Sequence, residues 1–296
     1  MTTFARKKAP SQPGGDPTVA TLLTWFMPGA GHFYIGRTTF AMIAFVVVEG
    51  LYLLGLKLSG GMGFEFLQEE LRGLLAPGLA PEAGNLGGLL YQIRTYGFGL
   101  GVPRPFPEYI VLGSILTALS GVANVILMCH VHFEARLPKG TSSRLRSPAW
   151  PVLLTWLVPG LGHFQQRRKL RGTIIFVMLV GLLVIGTLLA DSSNLSRERH
   201  YYYWGGQLMA GLPALGLQFL WGAKLVTSHI TYGEAGLVIA SLAGMLNILA
   251  MLDVYAWGER SAQGEPQGGD AARETEASQA GIADATAASA TEEVTA

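Results

Sequence analysis

Thr21 to Leu58 reads TLLTWFMPGAGHFYIGRTTFAMIAFVVVEGLYLLGLKL, and Val152 to Leu189 reads VLLTWLVPGLGHFQQRRKLRGTIIFVMLVGLLVIGTLL. The two align without a gap. Leu22-Leu23-Thr24-Trp25 returns as Leu153-Leu154-Thr155-Trp156. Pro28-Gly29-x-Gly31-His32-Phe33 returns as Pro159-Gly160-x-Gly162-His163-Phe164, and Gly50 and Gly55 return as Gly181 and Gly186. A second match closes each copy: Gly121-x-x-Asn124-Val125-x-x-Met128-x-x-Val131 corresponds to Gly244-x-x-Asn247-Ile248-x-x-Met251-x-x-Val254. Self-similarity at both ends of the unit means that the whole unit is duplicated.

Of the 296 residues, 50% are hydrophobic and only 14% charged, with mean hydropathy +0.35. Soluble domains carry about 25% charged residues, and several apolar runs here approach the ~20 residues that cross a bilayer. The fold class expected is all-α: a polytopic helical membrane protein built from two tandem repeats. The single cysteine, Cys129, excludes a disulfide within the chain and any cysteine-based metal cluster. It reads as a small buried hydrophobe.

Each repeat opens with a short apolar helix, 17–27 and 149–158, that ends at a Pro-Gly-x-Gly break. About ten residues span roughly 15 Å, half a bilayer. Proline withholds a donor and glycine permits reversals, so Pro28, Gly29, Gly31, Pro159, Gly160 and Gly162 read as a turn. Spanning helices follow at 38–58 and 170–190, and others close the repeats at 108–133 and 234–257. Residues 60–106 read as a polar-side excursion with an amphipathic helix near 64–75. The apolar run 204–223, which contains Pro213, either spans or dips in and out. The expected organisation is a disordered N-terminus at 1–16, repeat one at 17–136, a basic linker at 137–148, repeat two at 149–258, and a disordered tail at 259–296. Eight acids against Arg260 and Arg273 in that tail, without one aromatic residue, leave too little apolar surface to order it. Arg6-Lys7-Lys8 before an apolar stretch resembles a secretion signal, but the same stretch recurs internally and is read as structure.

Basic residues flank both sides of both short helices: Arg6, Lys7, Lys8 and Arg37 in repeat one, and Arg136, Lys139, Arg144, Arg146, Arg167, Arg168, Lys169 and Arg171 in repeat two. Lysine and arginine mark the cytoplasmic side. The short helices are therefore expected to be re-entrant, with both flanks on one side. If they crossed, one basic cluster per repeat would lie outside.

Five residues are candidates for function. His32 and His163 either serve a shared site as proton carriers or ligands, or tie down the turn by bonding carbonyls that Pro-Gly frees; the second reading is preferred. Glu49 lies mid-span, where a carboxylate is a functional candidate, although its repeat equivalent is Val180. Asn124 and Asn247 are expected to bond across helices. His130, His132 and Glu134 alternate at a helix end and are expected to be solvated there. Arg167, Arg168, Lys169 and Arg171 fix topology and could bind anionic lipid headgroups at about 1 kcal/mol per charge. Tyr201-Tyr202-Tyr203-Trp204 and Trp25/Trp156 read as interfacial aromatics. No catalytic motif, metal-ligand spacing, cofactor fingerprint or nucleic-acid motif stands out, so no catalytic residue, metal or cofactor is expected.

Gly29-Ala30-Gly31-His32-Phe33-Tyr34-Ile35-Gly36-Arg37 resembles the two-transmembrane-helix domain family; repeat two keeps Gly160, Gly162, His163 and Phe164 but carries Gln165-Gln166-Arg167 afterwards. The longer layout, from Pro-Gly-x-Gly-His to Gly-x-x-Asn-x-x-x-Met-x-x-Val, is similar to a family of bacterial membrane proteins of unknown function and covers roughly 18–258. Neither resemblance implies a reaction or a ligand. The expectation is a non-enzymatic structural or interaction module of a bacterial inner membrane, whose partner is the bilayer and whose protein partner is unspecified. A small-solute or ion transporter is the alternative, and an intramembrane enzyme using His32 or His163 is a weaker third.

Overall fold

A computed structural model describes residues 14–67, 76–98, 104–137, 147–222 and 230–263. Among them all regular structure is helical. The first half carries α1 Pro17–Phe26, α2 Ala30–Tyr34, α3 Thr38–Ser59, α4 Leu86–Tyr96 and α5 Ile110–Arg136. The second carries α6 Ala149–Leu157, α7 Leu161–Gln165, α8 Lys169–Leu189, α9 Tyr201–Leu208, α10 Leu212–Leu220 and α11 Gly233–Gln263. Helices α3, α5, α8 and α11 are long and apolar enough to cross a membrane. They present Met42, Val46, Val177, Met178 and Leu249 outward. The chain is a polytopic helical membrane protein, and each half opens with a short helix, a one-turn helix and a long apolar helix and closes with a second long apolar helix.

Helices α3 and α5 are antiparallel and touch backbone to backbone. A Cβ on Gly55 would stand 2.7 Å from the Gly113 carbonyl oxygen, and one on Gly113 would stand 2.6 Å from that of Gly55. Gly186 and Gly236 do the same for α8 and α11, at 2.8 and 2.6 Å. Small residues let helices approach where lipid supplies no hydrophobic drive.

The short opening helices fold back as hairpins. Asp16 caps α1 by accepting from the Val19 N–H at 3.0 Å, and Pro17 fits the first turn. Gly29, at φ 83°, reverses the chain; a Cβ there would be 2.3 Å from the Ala41 carbonyl oxygen. Helix α2 then returns along α1: the Gly31 N–H donates to Thr24 Oγ1 at 3.2 Å, and the Asp16 N–H donates to Tyr34 Oη at 3.4 Å. Gly160, at φ 84°, reverses α6 into α7 in the same way. Both hairpins enter and leave at one end of the bundle, called here the basal end.

A second pair of hairpins faces them from the opposite end. In the first half it is a 3-10 turn, Pro81–Gly84, followed by α4, which climbs from beside Tyr52 to beside Gly61. In the second it is α9 and α10, reversed at Gly211 (φ 71°). The apolar run that starts at Trp204 therefore reverses at Gly211 and is not one continuous helix. Opposing tips touch. A Cβ on Gly87 would stand 2.2 Å from the Phe26 carbonyl oxygen, and one on Gly211 would stand 1.7 Å from that of Trp156.

The halves pack through α5 against α6 and α9, and side chains at the ends of α5 and α11 also touch. His132 Nδ1 lies 2.7 Å from Tyr255 Oη, and Arg136 pairs with Glu259. Both contacts join repeat-equivalent positions, so a pseudo-twofold axis runs between these two helices.

Two expectations need correction. Residues 14–16 are ordered, because the Gly14 and Gly15 N–H groups donate to the Leu137 and Ala135 carbonyls. The tail begins later, since α11 runs to Gln263. Met62–Phe64 form a 3-10 turn, and most of the stretch expected as a helix near 64–75, residues 68–75, lies outside the described residues. So do 1–13, most of the 137–148 linker and the tail from 264.

Candidate functional site

The Gly-x-x-Asn motif sits where opposed hairpin tips meet. Asn124 Nδ2 donates to the Thr24 carbonyl at 2.8 Å and to the Gly84 carbonyl at 3.0 Å. Asn247 Nδ2 donates to the Thr155 carbonyl at 3.0 Å and to the Met209 carbonyl at 2.9 Å. Each amide thus bridges a basal tip and an opposing tip, and both side chains are fully buried. The reason is local. In a continuous helix the Thr24 carbonyl would accept from residue 28, and that of Thr155 from residue 159. Both are prolines, without an N–H. Asparagine supplies the missing donor. The motif's glycine gives the room: a Cβ on Gly121 would be 2.0 Å from the Pro81 carbonyl oxygen, and one on Gly244 would be 2.0 Å from that of Gly206.

Sequence reasoning gave that capping task to the histidines. The structure corrects it. His32 Nε2 lies 2.9 Å from His130 Nδ1, so one ring donates and the other accepts; Phe40 packs beside both. His163 Nε2 donates to Asp253 Oδ2 at 3.1 Å. His130 and Asp253 are repeat equivalents, so each histidine ties the return limb of its hairpin to the closing helix. Burial first, then the His130 ring and the Arg37 charge, push the His32 imidazole down to about 3. Burial also lowers His163, against the partial opposition of Asp253.

Glu134 is not solvated either. It is buried one helical turn from His130 and pairs with Arg37 Nε at 2.6 Å. In repeat two Arg168, the equivalent of Arg37, pairs with Asp253 at 2.8 Å and lies 4.4 Å over the Trp257 ring, which replaces Glu134. His132 faces the other way, toward Tyr255, as spacing by two on a helix requires. The basic cluster therefore divides. Arg168 and Arg171 engage Asp253, whereas Arg167 and Lys169 have no acidic partner among the described residues. Glu49 is half-buried on α3, with the Asn85 carboxamide as its neighbour. It does not join the histidine clusters.

One site was missed entirely. Arg197, 7% exposed, donates to Glu82 (1% exposed) at 2.8 Å, to the Ser114 carbonyl at 2.9 Å and to Tyr201 Oη at 3.3 Å. Its guanidinium lies between the Tyr201 and Trp204 rings, 4.9 and 4.7 Å from their centroids. Thr117 also donates to Glu82, at 2.9 Å. Burial works against the Arg197 charge, but Glu82 and Tyr201 outweigh it and hold the group above its ordinary value. This pair clamps a loop of repeat two onto the hairpin of repeat one. Tyr201 and Trp204 are therefore buried clamp walls and not interfacial aromatics; Trp156 is buried too. Glu82 and Arg197 occupy non-equivalent positions, so repeat comparison carried no signal. Among the described residues no group of three or more His, Cys, Asp or Glu side chains could hold a metal ion.

Residues 19–142 and 150–267 each match the model of one family, described as a family of unknown function (DUF6677). No curated protein and no solved structure matches the chain.

Proposed function

We propose that this chain, which belongs to the family of unknown function DUF6677, is a non-enzymatic structural or interaction module of a bacterial inner membrane, with its basal end in the cytoplasm. The observation that carries this reading is the closure of the hairpin tips. Transporters place substrate between discontinuous helices at mid-membrane. Here the corresponding space is filled by backbone-to-backbone contact at Gly87 and Gly211, and each junction is locked by an asparagine. The repeated polar residues are spent inside the chain, on ties between hairpins and closing helices. The orientation rests on Arg37, Arg136, Arg167, Arg168, Lys169 and Arg171, all at the basal end. The bilayer is the partner this reading names; domain limits follow the repeats, 17–136 and 149–263.

A small-solute or ion transporter is the second reading, favoured by the opposed half-helices and by Glu49 at mid-depth beside Asn85. Proton and cation flux into liposomes loaded with the full chain separates the two. The module reading expects the leak of empty liposomes, unchanged by Glu49→Gln. A saturable flux abolished by that substitution in normally inserted protein would favour transport.

A further inference from the structure

We propose that a cleft at the basal end of repeat two binds the headgroup of an anionic phospholipid carrying a phosphate and free hydroxyls, with Arg167 holding the phosphate. The cleft, of about 710 Å³, opens between the start of α6, the α7–α8 link and the end of α11. Its walls include Ser147, Trp150, Gln165, Gln166, Arg167 and Trp257. It lies just before Lys169, where the apolar span of α8 begins. That is the headgroup level, which suits tryptophan and arginine.

Arg167 carries the argument. It sits at φ 64°, a backbone that glycine takes freely and arginine does not. Repeat one has Gly36 at this position, at φ 86°, so the turn itself does not need a side chain. Strain of this kind gathers at ligand clamps. The charge is also available: Asp253 engages Arg168 and Arg171, leaving Arg167 and Lys169 without an acidic partner among the described residues. Hydrogen-bond acceptors stand nearby. Gln166 Nε2 donates to the Val254 carbonyl at 2.8 Å, and its Oε1, like that of Gln165, is buried without a partner. These oxygens suit the hydroxyls of a glycerol-type headgroup. In repeat one the Gly14 and Gly15 N–H groups donate to the Leu137 and Ala135 carbonyls at the end of α5, and Gly36 in place of Arg167 offers no charge. The inference rests on the chain being a membrane protein with its basal end at the bilayer interface. It holds for a module or a transporter alike.

Native mass spectrometry of the full chain in a neutral detergent, titrated with phosphatidylglycerol, phosphatidylcholine or inorganic phosphate, tests it. One phosphatidylglycerol should bind in preference to phosphatidylcholine. Arg167→Gly should weaken that binding about fivefold, the effect of one interfacial charge, while melting in detergent stays the same or rises because the left-handed backbone is relieved. Arg167→Asn, which tolerates this backbone, should weaken binding equally and covers any folding defect of the glycine variant. Unchanged phosphatidylglycerol binding in either folded variant, or no preference for it in the wild type, overturns the proposal. Saturation of the site by inorganic phosphate alone would assign it to a soluble anion and overturn the lipid source.

Discussion

Asn124→Ala removes the donor that joins two hairpin tips. Two carbonyls, Thr24 and Gly84, lose a buried partner at once, at 2.8 and 3.0 Å. An orphaned buried carbonyl costs about 1–3 kcal/mol, which would give about 2–6 kcal/mol for the pair. Hydrogen bonds within membrane proteins average only about 0.6 kcal/mol, because the unfolded chain in lipid also finds partners. The lower end therefore wins in general, but Pro28 denies the Thr24 carbonyl its usual helical donor, so relaxation cannot repair that loss. We expect about 2 kcal/mol from Asn124→Ala and a similar loss from Asn247→Ala. The two amides share no partner, so the double variant should lose the sum. Equilibrium unfolding in mixed micelles measures it. A loss below about 0.5 kcal/mol for either variant would refute the tip-locking argument.

Gly29→Ala and Gly160→Ala should fail to fold, since each new Cβ would lie within 2.3 Å of a backbone oxygen. Gly36→Ala, with φ 86° but nothing within 4 Å, should cost only about 1–2 kcal/mol; purification yield and melting distinguish them. Arg197→Met should cost about 3–5 kcal/mol by leaving Glu82 buried and unpaired, while Arg197→Met with Glu82→Gln should recover part of it, as read by unfolding of the double variant. His32, held at about 3 against about 6.5 in an unfolded chain, contributes stability that is complete above pH 6.5 and is lost as pH falls toward 3. Melting followed from pH 7.5 to 5 should show destabilisation at the acid end, reduced in His32→Gln; an equal slope in both would refute the assignment.

The duplication, the four spans and both basal hairpins were legible because each has a local cause: long apolar runs, Pro-Gly breaks and basic flanks. The opposing hairpins were harder. In repeat two Gly211 and Pro213 left spanning and dipping both open. In repeat one the dip is a 3-10 turn followed by an 11-residue helix, too short to span, with Gly87, Gly88 and Gln92 among its first seven residues. Asn124 and Asn247 were read correctly as cross-helix glue, but their partners depend on which carbonyls the prolines leave open in space. His130 and Glu134 were misread because exposure at a helix end is a tertiary property: α2 and Arg37 fold back over them. Arg197 and Glu82, 115 residues apart, have no sequence relation that could have joined them.

Side-selective labelling tests the central architecture most directly. In a Cys129→Ser background, single cysteines at Ser147 and Lys169 bracket the α6–α7 hairpin, and one at Glu108 marks the opposite end. In sealed vesicles of known orientation, the account predicts that an impermeant maleimide reaches positions 147 and 169 from the same face and position 108 only from the other. Labelling of 147 and 169 from opposite faces would mean that α6–α7 crosses the membrane, and would contradict the re-entrant fold.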